Sequence, residues 1–242
     1  AQQTAGNIDD VLEEILDYQV DGIVLASVAM SSVLAERCDA AGIPVVLFNR
    51  AQQEDRFSTV TSNNFAGGKA LAEFLVAGGH RRIGYIAGWE GASTQRDREA
   101  GFCAGLAEHG HKLFARGVGD FRTETAANAA RAMFSASEFP DAVFVANDHM
   151  AFAVIEELRG TLGLRVPEDV SVVGYDDVQL SRWSSFDLTT VRQPSGEMVA
   201  ETVAALMAQI EDGETEPRRV KIDGPLVVRG SARRPADWNT NW

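Results

Sequence analysis

The sequence predicts an α/β fold in which parallel strands form sheets that are flanked by helices. Short apolar, β-branched runs alternate with amphipathic segments along the 242-residue chain, and the turns between them are short. The stretch 143–177 shows this most clearly: an apolar strand, a polar turn at Asn147 and Asp148, an amphipathic helix, and a second strand that ends in two aspartates. Such a unit makes the two strands parallel and brings their carboxyl ends to one edge of the sheet.

The first third of the chain contains the same alternation. Apolar residues at helical spacing predict a helix over 8–18, and β-branched runs predict the strands that follow. Glycines end two of the helices, at Gly42 and at the pair Gly78 and Gly79. The predicted elements are a helix at 8–18, a strand at 20–26, a helix at 32–41, strands at 44–48 and 59–62, and a helix at 64–77.

The rest of the chain continues this order, with Gly110 and Gly163 as helix ends. The segments 219–223 and 225–229 are separated by a Gly-Pro turn and predict a terminal hairpin. The predicted elements are strands at 82–87, 112–116, 142–145, 170–175 and 188–191, helices at 96–109, 123–134, 149–162 and 197–212, a loop or short helix at 179–187, and a surface tail at 234–242.

Composition and charge exclude two classes of partner. The formal net charge is −13, whereas affinity for nucleic acid depends on neutralising phosphates with Lys and Arg, so this chain alone is a poor DNA binder. No apolar run approaches the roughly 18 residues that cross a bilayer, so no membrane partner is predicted. Cys38 and Cys103 both fall in predicted helices, and we interpret them as free thiols of a protein in a reducing, cytoplasmic compartment.

The sequence contains none of the common enzyme signatures: a G-x-S-x-G elbow, a P-loop, or a G-x-G-x-x-G turn after a strand. The histidines do not have the spacing of metal ligands either; these are His80, His109, His111 and His149. We therefore predict that the protein is not an enzyme and that it has no cofactor and no metal site.

Polar residues at strand ends are the candidate binding groups. Asn147 can donate and accept hydrogen bonds at once, and the carboxylate of Asp176 can accept them from hydroxyl or amine groups. Asp148 is predicted to be a ligand residue or, by its position, the N-cap of the next helix. Asp176 and Asp177 invite a glycosidase interpretation, but adjacent acids at a strand end point in different directions, which argues against paired acid and base catalysis.

Seven motifs, in this order and spacing, resemble those of one protein family. They are VDGIVLAS at 20–27, GIPVVLFNR at 42–50, GHRRIGYIAG at 79–88, RDREAGF at 96–102, PDAVFVANDHMA at 140–151, GLRVPEDVSVVGYDD at 163–177 and LTTVRQP at 188–194. With them the chain resembles the effector-binding core of the LacI/GalR family of bacterial transcription regulators.

The resemblance implies a two-lobed, periplasmic-binding-protein-like fold with three crossovers between lobes and the ligand between them. The expected N-terminal lobe is 1–61 plus 195–217, the C-terminal lobe is 62–194 plus 218–235, and 236–242 is a tail. Two departures stand out. No DNA-binding headpiece precedes the core, and the N-terminal lobe is expected to be incomplete at its start.

The resemblance also implies a set of ligand residues. Arg98 matches the family's ligand arginine, although a surface arginine paired with Asp97 or Glu99 is the alternative. Phe121 matches an aromatic that stacks on the ligand, with a core aromatic as the alternative. The full expected set is Arg98, Asp176, Asn147, Phe121, Thr94, Asn49, Ser27 and Asp148.

By resemblance, the chain is the sensing and dimerisation core of a regulator. It binds a small effector, a sugar or sugar derivative or else a nucleobase, and alters operator affinity allosterically as a homodimer that contacts DNA through a headpiece. The alternative is a periplasmic sugar-binding protein that serves a transporter, and an enzyme such as a glycosidase is a third class. An alanine at position 98 is expected to abolish stabilisation by the ligand and to leave the unliganded melting temperature nearly unchanged.

Overall fold

The computed structural model describes residues 20–27, 32–51, 56–236 and 238. The chain divides into two compact units, Ala1–Ser62 with Pro194–Ile222, and Asn63–Gln193 with Asp223–Trp242. It therefore passes from one unit to the other three times, the number of crossovers that was expected. The helix predicted at 8–18 lies outside the described residues.

The first unit is built on a four-stranded parallel sheet. The strands follow the order β1-β2-β3-β9, so the last of them comes from the far end of the chain. Its elements are β1 (Ile23–Ala26), α1 (Ser32–Ala41), β2 (Val45–Phe48), β3 (Ser58–Ser62), α6 (Ser195–Glu211) and β9 (Arg219–Ile222).

Alternation along β2 explains how helices cover both faces of this sheet. Val45 and Leu47 belong to one buried cluster, which includes Cys38 of α1. Val46 lies between them in sequence and packs instead with Met198 of α6 in a second cluster. Since successive side chains of a strand point to opposite faces, each face of the sheet is buried by a different helix.

The second unit is built on a six-stranded sheet with the order β10-β8-β7-β6-β4-β5. Every neighbouring pair is parallel except β10 and β8. Its elements are α2 (Asn64–Ala77), β4 (Ile83–Ala87), α3 (Ser93–Glu108), β5 (Ala115–Val118), α4 (Thr123–Phe134), β6 (Ala142–Val145), α5 (Asp148–Glu156) with a π-helical turn (Glu157–Thr161), β7 (Ser171–Asp176), a 3-10 turn (Gln179–Arg182), β8 (Thr189–Arg192) and β10 (Leu226–Val227).

One large hydrophobic core holds this unit together and fixes the strand ends. The central strands β4, β6 and β7 are buried along their length, with Tyr85, Phe144 and Tyr175 fully enclosed. Phe102 of α3 packs against both Tyr85 and Phe144. Because both faces of these strands are packed, their carboxyl ends have little freedom to move, and side chains placed there are held rigidly.

The terminal hairpin predicted from 219–223 and 225–229 is wrong. β9 pairs in parallel with β3 in the first unit, with Thr59 opposite Arg219, while β10 pairs with β8 in the second. The two strands are neighbours in sequence only. The division at residue 222 therefore differs from the expected lobe boundary at 217, because the pairing of β9 draws five further residues into the first unit.

Two other elements differ from prediction. The strand predicted at 112–116 lies at Ala115–Val118, since pairing with β4 sets its register and leaves Phe114 40% exposed before the strand begins. The helix predicted at 149–162 is regular only to Glu156 and then widens into a π-helical turn. The helices predicted at 32–41, 64–77 and 123–134 and the strand at 142–145 are confirmed with the same bounds.

Candidate functional site

The carboxyl ends of β4, β5, β6 and β7 form one edge of the six-stranded sheet. Helices α3 and α5 begin at this edge, so polar residues in strand ends and helix starts gather there. Of the eight predicted ligand residues, six belong to this unit: Arg98, Thr94, Phe121, Asn147, Asp148 and Asp176.

Arg98 is the centre of the cluster. Its side chain is 3% exposed, and its guanidinium donates to Asn64 Oδ1 at 2.8 Å, to the carbonyl of Ala146 at 2.6 Å and to Asp176 Oδ1 at 3.1 Å. The guanidinium carbon also lies 3.7 Å from the centre of the Tyr175 ring, a cation–π contact. Three of the five guanidinium N–H groups are used in these bonds, which leaves two donors for a ligand.

The geometry of Arg98 decides between its two predicted roles. It pairs with Asp176, which is 78 residues away in the sequence, rather than with Asp97 or Glu99 beside it. The buried guanidinium also stabilises the fold, because its removal leaves its three acceptors without a hydrogen-bond donor. The expectation that alanine at position 98 leaves the unliganded melting temperature unchanged is therefore not supported by the structure.

Asp176 ends β7 with one carboxylate oxygen engaged. Oδ1 accepts from Arg98 and, at 2.7 Å, from Gln193 Nε2, while the side chain keeps 21% of its surface exposed. In the described part of the chain Oδ2 has no hydrogen-bond partner, so it can accept from a ligand hydroxyl. The backbone φ of Asp176 is 122°, a conformation that L residues rarely adopt.

Asn147, and not Asp148, caps the helix that follows. Asn147 is the N-cap of α5, and its Oδ1 accepts from the backbone N–H of Met150 at 3.0 Å. Its Nδ2 makes no hydrogen bond within the described ranges and can donate to a ligand. The N-cap role considered for Asp148 is therefore wrong, and Asn147 combines capping with a donor at the sheet edge.

Asp148 is fully buried and accepts three hydrogen bonds. Oδ1 accepts from Thr190 Oγ1 at 2.7 Å, and Oδ2 accepts from Ser181 Oγ at 2.6 Å and from Val178 N at 3.0 Å. Both oxygens are thus occupied and inaccessible to a ligand. The direct ligand role predicted for Asp148 has no geometric support, and its contacts point instead to a role in holding the loop after β7.

Burial and hydrogen bonding have opposite effects on the pKa of Asp148. Burial raises the pKa of Asp148 to about 7, and the negative charge of Asp176 adds to the rise. The hydrogen bonds from the two hydroxyls and from the backbone N–H act in the opposite direction, because they favour the ionised form. The result is a buried carboxyl group that changes its charge close to neutral pH.

Asp177 is held quite differently, although it is the next residue after Asp176. Its side chain is fully buried and lies within ion-pair distance of three arginines, at 2.5 Å from Arg229, 2.6 Å from Arg192 and 3.6 Å from Arg182. Burial alone would raise the pKa of Asp177, but the hydrogen bonds from Arg192 and Arg229 lower it overall. Asp177 therefore anchors the loop as an ionised carboxylate at neutral pH.

Phe121 and Thr94 complete the edge in this unit. Phe121 is partly buried beside the core, and its ring lies so close to Gly88 that a Cβ at position 88 would be 2.2 Å from Cζ. Only glycine fits there, and the ring is held with one part of its surface open at the end of β4 and β5. Thr94 lies one turn before Arg98 on the same face of α3 and is 6% exposed.

Gln95 fixes the loop between β4 and α3. Its Oε1 accepts from Tyr85 Oη at 2.8 Å and from Gly88 N at 2.7 Å, and its side chain is buried. This tie places the start of α3, and with it Arg98, at a set distance from the end of β4. Sequence reasoning did not single out Gln95.

Ser27 and Asn49 lie in the first unit, at the carboxyl ends of β1 and β2. Asn49 Nδ2 is 3.4 Å from Ser27 Oγ, so the two side chains are neighbours. Both residues have left-handed backbones, with φ of 58° and 57°. They form a polar pair at the edge of the four-stranded sheet, and their predicted ligand role stays a prediction.

Left-handed backbone conformations concentrate at these strand ends. Among the described residues other than glycine, seven have positive φ, and six of them end a strand or lie within three residues after one. Such conformations cost of order 1 to 3 kcal/mol each and cluster at binding sites. The six are Ser27, Asn49, Asp120, Phe121, Asp176 and Asp177, and four of them were predicted as ligand residues.

Three residues that hold the predicted ligand groups were missed in the sequence. Asn64 and Tyr175 hold the guanidinium of Arg98, and Gln193 holds the carboxylate of Asp176. Gln193 stands in the motif LTTVRQP, and Asn64 begins a helix directly after a strand. Position relative to a strand end was therefore the signal that could have found them.

The chemistry available at this edge is recognition by hydrogen bonding and stacking. Two guanidinium N–H groups, one amide NH₂, one carboxylate oxygen and a partly exposed aromatic ring are available at the same edge of the sheet, which suits a small molecule with several hydroxyl groups. In the described ranges no group of three or more His, Cys, Asp or Glu is placed to hold a metal ion. No helix in the described ranges is both long and apolar enough to span a bilayer.

Comparison with known proteins identifies the family. A family model described as a periplasmic binding protein-like domain matches residues 72–232. The HTH-type transcriptional repressor PurR of Photobacterium profundum is 30% identical over 236 residues, which cover 95% of this chain and 70% of that protein. The HTH-type transcriptional regulator CelR of Thermobifida fusca is 36% identical over 219 residues, which cover 88% of this chain and 63% of that protein.

Solved structures agree with these relatives. A complex of transcriptional regulator CelR with cellobiose has a TM-score of 0.86 at 33% identity and covers 94% of this chain and 71% of that one. A LacI transcriptional regulator from a Rhodococcus species has a TM-score of 0.83 at 27% identity, with 93% and 82% covered. The predicted α/β, two-lobed fold class is confirmed, and the relatives named are regulators rather than enzymes. The chain belongs to the LacI family of transcriptional regulators and corresponds to its periplasmic-binding-protein-like, effector-binding core.

Proposed function

We propose that this chain senses a small, hydroxyl-rich effector, a sugar or a sugar derivative, for a bacterial transcription regulator. The observation that carries the proposal is the pairing of Arg98 with Asp176 at the carboxyl edge of the six-stranded sheet. Donor and acceptor groups are prepared there side by side, as vicinal hydroxyls require. The effector accepts hydrogen bonds from Arg98 and from Asn147 Nδ2 and donates to Asp176 Oδ2.

Four further side chains contribute to this recognition. Phe121 offers an aromatic surface on which an apolar sugar face packs. Thr94 lies one helical turn from Arg98 and adds a hydroxyl to the same helix face. The participation of Ser27 and Asn49 from the first unit remains part of the proposal, supported by their strained positions at strand ends.

The cellobiose complex of CelR supports a sugar rather than a nucleobase as the effector class. That structure has 33% identity and a TM-score of 0.86 to this chain. A sugar-binding LacI-family regulator from Escherichia coli, solved with phosphate, has a TM-score of 0.79 at 26% identity. PurR relatives are similar over most of the chain, so purines belong in any test as the competing class.

On this proposal the effector acts by shifting a conformational equilibrium. A ligand changes operator affinity only to the extent that it binds two states of the regulator with different affinity. The working unit is a cytoplasmic homodimer that contacts operator DNA through a headpiece outside this chain. The alternative of a transporter's sugar-binding protein is less well supported, because the relatives are named as regulators of transcription.

A thermal-shift screen tests the proposal. Wild-type protein is mixed with cellobiose, monosaccharides, sugar phosphates and purines, and a ligand at 100 times its dissociation constant adds about 2.7 kcal/mol of stability. Asp176→Asn should lose this shift, because an amide replaces the accepting Oδ2. Asp169→Asn is the matched control: this aspartate pairs with Arg165 away from the edge and should leave the shift intact. Stabilisation by a sugar that survives in Asp176→Asn contradicts the site, and stabilisation by purines alone contradicts the effector class.

A further inference from the structure

The start of α5 connects the proposed effector site to the rest of the second unit. Three consecutive residues at this point each make a hydrogen bond to a different part of the unit. The carbonyl of Ala146 holds Arg98, Asn147 caps the helix, and Asp148 holds the segment after β7. Asp148 has no exposed surface, so its contribution is made entirely through these internal contacts.

Asp148 contacts the backbone on both sides of Asp176. On one side its Oδ1 lies against Gly174, where an added Cβ would be 2.4 Å away, so the close approach requires glycine. On the other side its Oδ2 accepts from Val178 N at 3.0 Å. The five-residue stretch that includes Asp176 is therefore fixed at both ends by one carboxylate.

Two further bonds tie this carboxylate to neighbouring elements. Ser181 Oγ donates from the 3-10 turn at 2.6 Å, and Thr190 Oγ1 donates from β8 at 2.7 Å. The backbone of Asp176 itself adopts a φ of 122°. Such a backbone conformation persists only where surrounding contacts hold it in place. The contacts of Asp148 on both sides of Asp176 are among them.

We infer that Asp148 is a positioning residue for Asp176 and that it couples effector affinity to pH close to neutrality. The inference rests on the proposed effector site, because it needs Asp176 to contact the effector. Ionised Asp148 accepts all three hydrogen bonds. Its charge, however, is disfavoured by burial and by the neighbouring charge of Asp176, so the segment around Asp176 opens more readily and effector affinity falls as the pH rises through about 7.

The groups that face Asp148 set the pH range. Burial and the charge of Asp176 raise its pKa to about 7, whereas the facing groups on β8 and the 3-10 turn, Thr190 and Ser181, do not titrate in this range. Arg98 lies beyond Asp176 and bonds to it. His149 follows Asp148 on the same helix, against Phe152, and is the other ionisable side chain on that turn.

Hydrogen exchange tests the positioning without any effector. Exchange of the backbone amides in 176–182, corrected for the intrinsic pH dependence, is measured at pH 6 and pH 8 for the wild type and for Asp148→Asn. We expect wild-type protection to be higher at pH 6, by up to roughly tenfold, because opening of the segment returns the pKa of Asp148 from about 7 to its ordinary value near 4. Asp148→Asn keeps acceptors for Val178 and Ser181 and should protect equally at both pH values. Equal pH dependence in the two proteins overturns the inference.

The effector arm uses cellobiose and calorimetric titration from pH 5.5 to 8.5. Wild-type affinity should fall by up to roughly tenfold between pH 6 and pH 8, and Asp148→Asn, which carries no charge at either pH, should bind independently of pH. Glu157→Gln, a buried acid at the far end of the same helix, should keep the wild-type profile, and so should His149→Gln. A profile lost in His149→Gln but retained in Asp148→Asn contradicts the inference.

The two arms separate this inference from the proposed function. If neither cellobiose nor another sugar binds the wild type while exchange follows the expected pattern, the sugar proposal fails and the positioning role stands. If sugar binds, but neither affinity nor exchange differs between the wild type and Asp148→Asn in its pH dependence, the sugar proposal stands and the role of Asp148 fails.

Discussion

Two buried aspartates hold the loop after β7, and their surroundings are opposite. Asp177 is enclosed by three arginines, whereas the described partners of Asp148 are two hydroxyls and a backbone N–H, all uncharged. Burial penalises the charge of both. The arginines reverse that penalty and lower the pKa of Asp177, while Asp176 reinforces it and the pKa of Asp148 rises to about 7. Two anchors with the same mechanical role therefore respond to pH in opposite directions.

The largest effect is expected from removing the arginine-bound anchor. Asp177→Ala should lower the free energy of unfolding at pH 7 by about 3 to 5 kcal/mol, because a broken buried ion pair leaves charge uncompensated. Arg229 is affected most, because its side chain is only 12% exposed and solvent can do little to stabilise its unpaired charge. Urea unfolding measures the loss. Asp169→Ala, whose partner Arg165 is 70% exposed, should lower the free energy of unfolding much less, because solvent screens the pair. Equal losses in the two variants contradict the comparison.

The packing around the uncharged anchor gives the next effect. Gly174→Ala places a Cβ 2.4 Å from Asp148 Oδ1 and 2.9 Å from Leu188 Cδ2, which should destabilise the fold by about 2 to 3 kcal/mol. In an Asp148→Ala background the cost should shrink, since the carboxylate is gone. Gly160→Ala meets nothing within 4 Å and should be neutral or stabilising. A cost for Gly174→Ala that is independent of residue 148 rules out the contact as its cause.

The pH dependence of stability separates the two anchors directly. The pKa of Asp148 is about 7 in the folded state and near 4 in the unfolded state. Proton binding by Asp148 therefore stabilises the fold at low pH, and this stabilisation is lost as the pH rises through 7. The unfolding free energy of the wild type relative to Asp148→Asn should therefore fall by about 2 kcal/mol from pH 5.5 to pH 8.5. Chemical denaturation across that range measures it. A constant difference would show that Asp148 does not titrate there.

Asp177 has the opposite dependence. Its pKa is lowered in the fold, so its contribution is present above the unfolded value near 4 and is lost as the pH falls through the folded value. It is therefore constant across pH 5.5 to 8.5 and does not contribute to the change expected there.

The smallest effect comes from an arginine-bound acid whose partner is half exposed. Glu157 pairs with Arg131 at 2.8 Å, and the Arg131 side chain is 51% exposed. Glu157→Gln keeps one acceptor for Arg131, replaces the other by an amide NH₂ and loses a charge that is screened by solvent, so we expect only a small loss of stability in urea unfolding. A loss as large as that for Asp177→Ala would show that exposure of the partner does not control these pairs.

The sequence predicted the parts of the fold that depend on local pattern. Hydrophobic periodicity predicted the strands and helices with a strong pattern. The resemblance to the family predicted that Arg98 and Asp176 belong to one site. The contacts by which Asp148 holds the loop after β7 were not predicted. Thr190 lies 42 residues beyond Asp148, and its contact depends on which strands are neighbours in the sheet. The hairpin assigned to β9 and β10 failed for the same reason, since a turn-like Gly-Pro segment does not specify strand partners.

The left-handed residues at the strand ends limit how this protein can be stabilised. Glycine adopts such a backbone without strain, so replacing these residues by glycine is the simplest way to relieve the cost. At Asp176 or Phe121 the same change would remove a side chain proposed to hold the effector. Asp120 has a φ of 56° and no predicted contact with the effector. Asp120→Gly is therefore the change that relieves backbone strain without removing a side chain proposed to bind the effector.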